Sequence, residues 1–197
     1  MTAPHGRSLQ SLRQEAAGCR RCDLWQSATQ TVFGEGPRGA EVVMVGEQPG
    51  DREDVEGRPF VGPAGRVLDD AMREAGIDRS AVYLTNAVKH FRFEQRGTRR
   101  IHKTPAGRQV TACLPWFWAE LDALSPQVVV LLGAVAAKAV MGADFRVSRQ
   151  HGTALPGPGE TTALATAHPS SVLRGGDQRK RRMAELVADL AVVPTLL

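Results

Sequence analysis

The run FRFEQRGTRRIHKTP, residues 91–105, sets one histidine, His102, among three cations, Arg99, Arg100 and Lys103. Imidazole titrates near neutral pH, so such a ring can serve as nucleophile, base or donor. Neighbouring cations disfavour its protonated form. The plainer reading is a solvated loop touching a phosphate. A second segment, VMVGEQPGDREDVEGRPFVGPAGR, residues 43–66, brings Glu47, Asp51 and Glu53 to the end of an apolar run. Gly46 and Gly50 in it allow backbone to approach a ligand closely, and Phe60 is an aromatic in a glycine-rich turn. A third, AHPSS, residues 167–171, offers His168 as a donor to developing negative charge. Taken singly, each of these reads as a turn or a loop. The pair Cys19 and Cys22 in CRRC, with Cys113, suits zinc, a redox pair or another metal centre. Three cysteines, an odd number, fit a disulfide scaffold poorly.

These groups must be held by regular elements. The 197 residues are 42% hydrophobic, enough for one domain, residues 1–197, with a sizeable core. No apolar run nears the roughly 18 residues of a membrane span, and the N-terminus lacks the apolar stretch of a signal peptide. A soluble, cytoplasmic protein is expected. A formal charge of +4 favours an anionic partner without naming it. Apolar runs at 41–46, 81–88, 127–133 and 161–169 predict four strands. Helices are expected over the first 18 residues, after Pro63, after Thr104-Pro105, at 134–141 and at 170–191. HGTALPGPGE, residues 151–160, reads as a surface loop. Strands alternating with helices imply a parallel sheet flanked by helices, with ligands beyond the strands' carboxyl ends. GEQPGD, NAVKHFRF and AHPSSVLR all fall there. The run RKRR, residues 179–182, reads as a solvated helix face. Trp25, Trp116 and Trp118 read as packing residues, and His151 has no evident partner.

Together, GEQPG, GRPFVGPAGR, LTNAVKH and HPSSVLR, in that order, resemble the uracil-DNA glycosylase superfamily and its iron–sulfur family 4. The resemblance covers nearly the whole chain. Three features depart from family 4: Gln48 replaces a small residue, His90 replaces the usual cysteine, and the RRIH loop is extra. These departures resemble the uracil-DNA glycosylase X group. The resemblance implies a three-layer α/β/α sandwich around a central four-stranded parallel sheet. It implies a glycosylase that excises uracil from DNA, single strands favoured, and becomes covalently linked through His102 to C1′ of the abasic site. His102, Glu47 and His168 would be catalytic. Phe60 would stack on the flipped base, worth about 1–3 kcal/mol. Asn86 would read the O4/N3 edge of uracil with its amide. Gly46, Gln48, Pro49, Gly50, Asp51, Ser170 and Arg174 would complete the uracil and DNA contacts, and Arg99, Arg100 and Lys103 would hold flanking phosphates. The same resemblance puts His90 beside Cys19, Cys22 and Cys113 as ligands of a four-iron–four-sulfur cluster. A monomer acting on uracil-containing DNA, single- or double-stranded, is the expected state. Two alternatives remain at this level: a conventional multiple-turnover family 4 enzyme, and a non-catalytic iron–sulfur nucleic-acid-binding module.

Overall fold

A computed structural model describes residues 7–197, so the first six residues of the expected N-terminal helix lie outside it. The chain runs α1 (Leu9–Ala17), β1 (Val42–Gly46), α2 (Asp51–Glu56), α3 (Pro63–Glu74), β2 (Val82–Asn86), β3 (Phe93–Arg96), β4 (Arg99–His102) and α4 (Gly107–Leu124). It continues through β5 (Val128–Leu132), α5 (Ala134–Met141), α6 (Val147–Gln150), β6 (Ala154–Pro156), β7 (Thr162–Thr166), α7 (Ser170–Leu173) and α8 (Arg179–Leu190).

The four expected strands pair in parallel within a sheet of order β2-β1-β5-β7-β6. Every residue of β1, β2 and β5 is buried, as a sheet covered on both faces requires. Alternation along β1 divides the core. Val42 and Met44 pack with Leu68 and Met72 of α3 and Leu186 and Leu190 of α8. Val43 and Val45 pack on the other face with Phe117 and Leu121 of α4 and Ala136 and Ala137 of α5. These are the three layers of the sandwich. Among the described residues, no helix is long and apolar enough to cross a membrane.

Three differences from the expected fold stand out. The sheet has five strands, not four, because Ala154–Pro156 pairs antiparallel with β7. This segment had read as a surface loop. It is short, contains proline and lies at an edge, so it lacks the apolar pattern of a buried strand. The expected helix at 170–191 is broken into α7 and α8 around Gly175 and Gly176, residues of low helix propensity.

The basic stretch is likewise no loop. It folds as the hairpin β3–β4, pairing Phe93 with His102 and Arg96 with Arg99. Gly97, with φ 58°, stands first in its two-residue turn, where a left-handed backbone suits the hairpin twist. His102 is thereby the last residue of a strand, with its backbone direction set by the ladder.

Candidate active site

Beyond the carboxyl ends of β1, β2, β5 and β7 lies a cleft of about 990 Å³. Glu47, Gln48, Gly50, Asp51, Phe60, Asn86, His102, His168, Ser170 and Arg174 all line it. Strand register explains part of this convergence, since Gly46 sits opposite Asn86. A Cβ on Gly46 would stand 2.5 Å from Asn86 Oδ1 and 2.8 Å from the Phe60 ring. Only glycine lets that amide and that ring approach each other. Phe60 itself is held at φ 56°, a left-handed conformation that costs a bulky side chain roughly 1–3 kcal/mol. Strain of this kind collects where a side chain must be aimed.

His102 Nε2 lies 3.5 Å from Glu47 Oε1. That oxygen is buried and has no hydrogen-bond partner among the described residues. Burial pushes the Glu47 carboxyl above its ordinary pKa, and the Arg174 charge only partly offsets this. Burial, and then the Arg174 charge, push His102 below its ordinary 6.5. The cation acting on His102 is therefore Arg174, rather than the loop neighbours suggested by the sequence.

Those neighbours are mostly engaged elsewhere. Arg100 pairs with Asp51 at 2.5 Å and with Asp54 at 2.5 Å, and stacks over Phe91 and Phe93. Lys103 pairs with Glu94 at 2.6 Å. Arg99 is exposed and makes no ion pair among the described residues. Arg100 thus clamps the hairpin to α2. Gln48, largely buried, pins its base: Nε2 donates to the Arg92 and Lys103 carbonyls at 3.2 and 3.1 Å, and Oε1 accepts from Arg92 N–H at 3.0 Å. The amide of Gln48 is thereby committed to the hairpin, and Pro49 beside it is buried without lining the cleft.

His168 has a defined tautomer. Its Nδ1 accepts from Ser170 N–H at 3.1 Å and lies 2.8 Å from Ser170 Oγ, which accepts from Arg174 Nη1 at 2.9 Å. With Nδ1 an acceptor, the ring proton resides on Nε2. Burial, helped by the charges of Arg174 and His102, pushes the His168 pKa down to about 4. At neutral pH it is an uncharged donor.

The cysteines gather in a separate apolar cluster, where Cys19 and Cys113 pack with Leu12, Phe33, Val88 and Trp116, and Cys22 lies against it. Asp23 ties the Cys22 segment to α4 by accepting from Gln109 at 2.8 Å and Arg108 at 3.1 Å. Trp116 Nε1–H donates to Cys19 Sγ at 3.2 Å, and Lys89 N–H to Cys113 Sγ at 3.1 Å. Burial pushes the Cys113 thiol up to about 12. His90 turns Nε2 to Thr31 Oγ1 at 3.0 Å, while its buried Nδ1 has no partner among the described residues. Three sulfurs, two of them already receiving N–H donors, and an orphaned imidazole nitrogen are the donor chemistry of a metal cluster. Among the described residues, no three His, Cys, Asp or Glu side chains already form a metal-holding group.

The description "Uracil DNA glycosylase superfamily" belongs to a family model that matches residues 33–191. The chain belongs to that superfamily. Its similar relatives include the type-4 uracil-DNA glycosylase of Sulfurisphaera tokodaii, 34% identical, with 95% of this chain and 86% of the relative covered. The type-4 enzyme of Thermotoga maritima is also 34% identical, over 89% of this chain and 88% of its own. That of Pyrobaculum aerophilum is 34% identical over 84% and 85%.

Sequence reasoning missed some contacts of this superfamily member. His151 does have a partner, Asp189, at 3.0 Å. Glu53 is not a free carboxylate, because it accepts from Gly62 N–H at 2.8 Å and anchors the start of α3. Neither contact has a local signal, since its partners are 38 and 9 residues apart.

Proposed function

We propose that this chain excises uracil from DNA and is then captured by the abasic site through His102. The observation that carries the reading is the unpartnered, buried Glu47 oxygen facing His102 Nε2 inside a superfamily cleft. In the proposed reaction Phe60 stacks on the flipped uracil and the Asn86 amide reads its edge. The C1′–N1 bond breaks with its electron pair going to uracil. The Nε2–H of His168 donates to the departing anion, and C1′ is left oxocarbenium-like. Glu47 accepts the Nε2 proton of His102, and the freed nitrogen pair bonds to C1′. The product is a neutral N-alkyl imidazole, for which no ready leaving step exists. The separation of 3.5 Å is longer than a hydrogen bond, as is common before substrate tightens a site.

Cys19, Cys22, Cys113 and His90 would hold a four-iron–four-sulfur cluster, whose contribution is to brace the chain segments on either side of the hairpin. The protein is expected to be brown and to contain iron; an active preparation with zinc and no iron would overturn this part. The type-4 name of the relatives supports uracil release itself, including the alternative of ordinary turnover without capture.

One experiment separates the readings. The protein is incubated with uracil-containing single-stranded DNA and run on a denaturing gel. A heat- and SDS-stable shifted band is expected. DNA nicked by alkali without a shifted band would mean ordinary turnover, and neither result would leave a binding module. The pH profile adds a second check. Imidazolium cannot attack C1′, and burial with the Arg174 charge favours the neutral ring of His102 by lowering its pKa from 6.5. The acid midpoint of adduct formation should therefore lie below the ordinary imidazole value of 6.5. An acid midpoint at or above pH 7 would contradict the assigned protonation states.

A further inference from the structure

Among the described residues, one ion pair has both side chains wholly out of water, and it lies beneath the cleft rather than in it. Lys89 Nζ stands 2.5 Å from Glu120 Oε2, with both side chains at 0% exposure. The ammonium has three donors and uses all of them: Glu120, Thr85 Oγ1 at 2.6 Å, and the main-chain carbonyl of Asn86 at 2.9 Å. Glu120 is equally saturated. It accepts from Tyr83 O–H at 3.0 Å, Gly34 N–H at 3.0 Å and Thr85 O–H at 2.9 Å, as well as from Lys89.

Taking both charges out of water is costly, and apolar residues of similar volume often replace such a pair without loss of folding. Stability alone is therefore a weak account of it. The contact that apolar packing would lack is the one to Asn86. We propose that Lys89 is a positioning residue that sets selectivity for uracil by fixing the backbone from which the Asn86 amide is presented. This rests on the reading of Asn86 as the base-reading residue. The amide has little room: its Oδ1 sits 2.5 Å from where a Cβ on Gly46 would stand. A small rotation of the Asn86 peptide would drive it against β1 or withdraw it from the base edge. Misplacement of this size is enough to lose a directional contact. The segment after β2 is otherwise held by main-chain bonds from Ala87 to Gly46 and from Val88 to Glu47, at 2.9 and 3.0 Å. Neither of these holds the Asn86 carbonyl. Lys89 bonds Cys113 through its own main-chain N–H, a bond that survives a change of side chain, while its ammonium acts on that thiol by charge alone, pulling its pKa down against the larger effect of burial.

The test uses equilibrium binding in a His102→Ser/His168→Ala background, where covalent capture is removed and bond breaking is slow. It measures the ratio of affinities for one DNA strand carrying uracil and the same strand carrying cytosine. Glu120→Gln keeps the ammonium and its bond to Asn86. The double variant Lys89→Met/Glu120→Gln removes both charges, leaves no lone buried ion, and differs from the first only in the Lys89 side chain. The uracil preference should survive Glu120→Gln and fall about tenfold in the double variant, the size of one charged hydrogen bond. Iron content should be unchanged in both. An unaltered preference in the double variant overturns the proposal. Equal loss in both variants also overturns it, since general loosening would act that way. A parent protein with no preference for uracil overturns the reading of Asn86, and the proposal with it.

Discussion

His102→Ser is expected to abolish the SDS-stable DNA adduct while uracil release continues. The two steps use different groups. In the proposed reaction, bond breaking rests on His168 and the base contacts, whereas capture rests on the His102 nitrogen, which faces Glu47 Oε1 at 3.5 Å. Serine is smaller than histidine, and the half-exposed position of His102 at the cleft mouth lets water take the vacated space. Water then adds to C1′, the abasic product leaves, and the protein turns over. The measurement is a pair of assays on one sample: a denaturing gel for the adduct, and alkali-induced nicking for release. A stable adduct formed by His102→Ser would place the nucleophile elsewhere. The hairpin should tolerate the change, because its anchors are Arg100 and Gln48 rather than the His102 ring.

His168→Ala is expected to slow both release and capture, by about 10²–10³ as for loss of one preorganised donor to a developing anion. His168 holds its proton on Nε2 because Ser170 occupies Nδ1. With a pKa near 4 it gives a hydrogen bond without carrying a charge at neutral pH. Single-turnover release rates measure the effect, and the adduct should appear at the same reduced rate as release. If capture slowed while release did not, His168 would belong to the second step, contrary to this assignment. A rate within a few-fold of the parent would show that the leaving anion is stabilised by other groups.

Local pattern was enough for the four parallel strands and for the place of the cleft, though not for the edge strand β6 or the β3–β4 hairpin. The four parallel strands are near-continuous apolar runs ending in glycine or polar residues, and such runs demand burial on both faces whatever surrounds them. Because ligands of such sheets bind beyond the carboxyl ends of the strands, Glu47, Asn86 and His168 could be placed in one cleft from chain order alone. Family motifs then supplied roles for them. What the sequence could not show was how the polar side chains pair. Arg100 reads as a free phosphate-binding cation, yet tertiary structure joins it to Asp51 and Asp54, some 46 to 49 residues away. Gln48 reads as a ligand contact, yet its amide is used on carbonyls 44 and 55 residues on. The charge bearing on His102 comes from Arg174, at the C-terminal end of α7 and 72 residues along the chain. The physical reason is one of range. Secondary structure follows from neighbours along the chain, whereas hydrogen bonds and ion pairs are directional contacts a few ångströms long. Which groups fall within that distance is decided only once the whole sheet has closed.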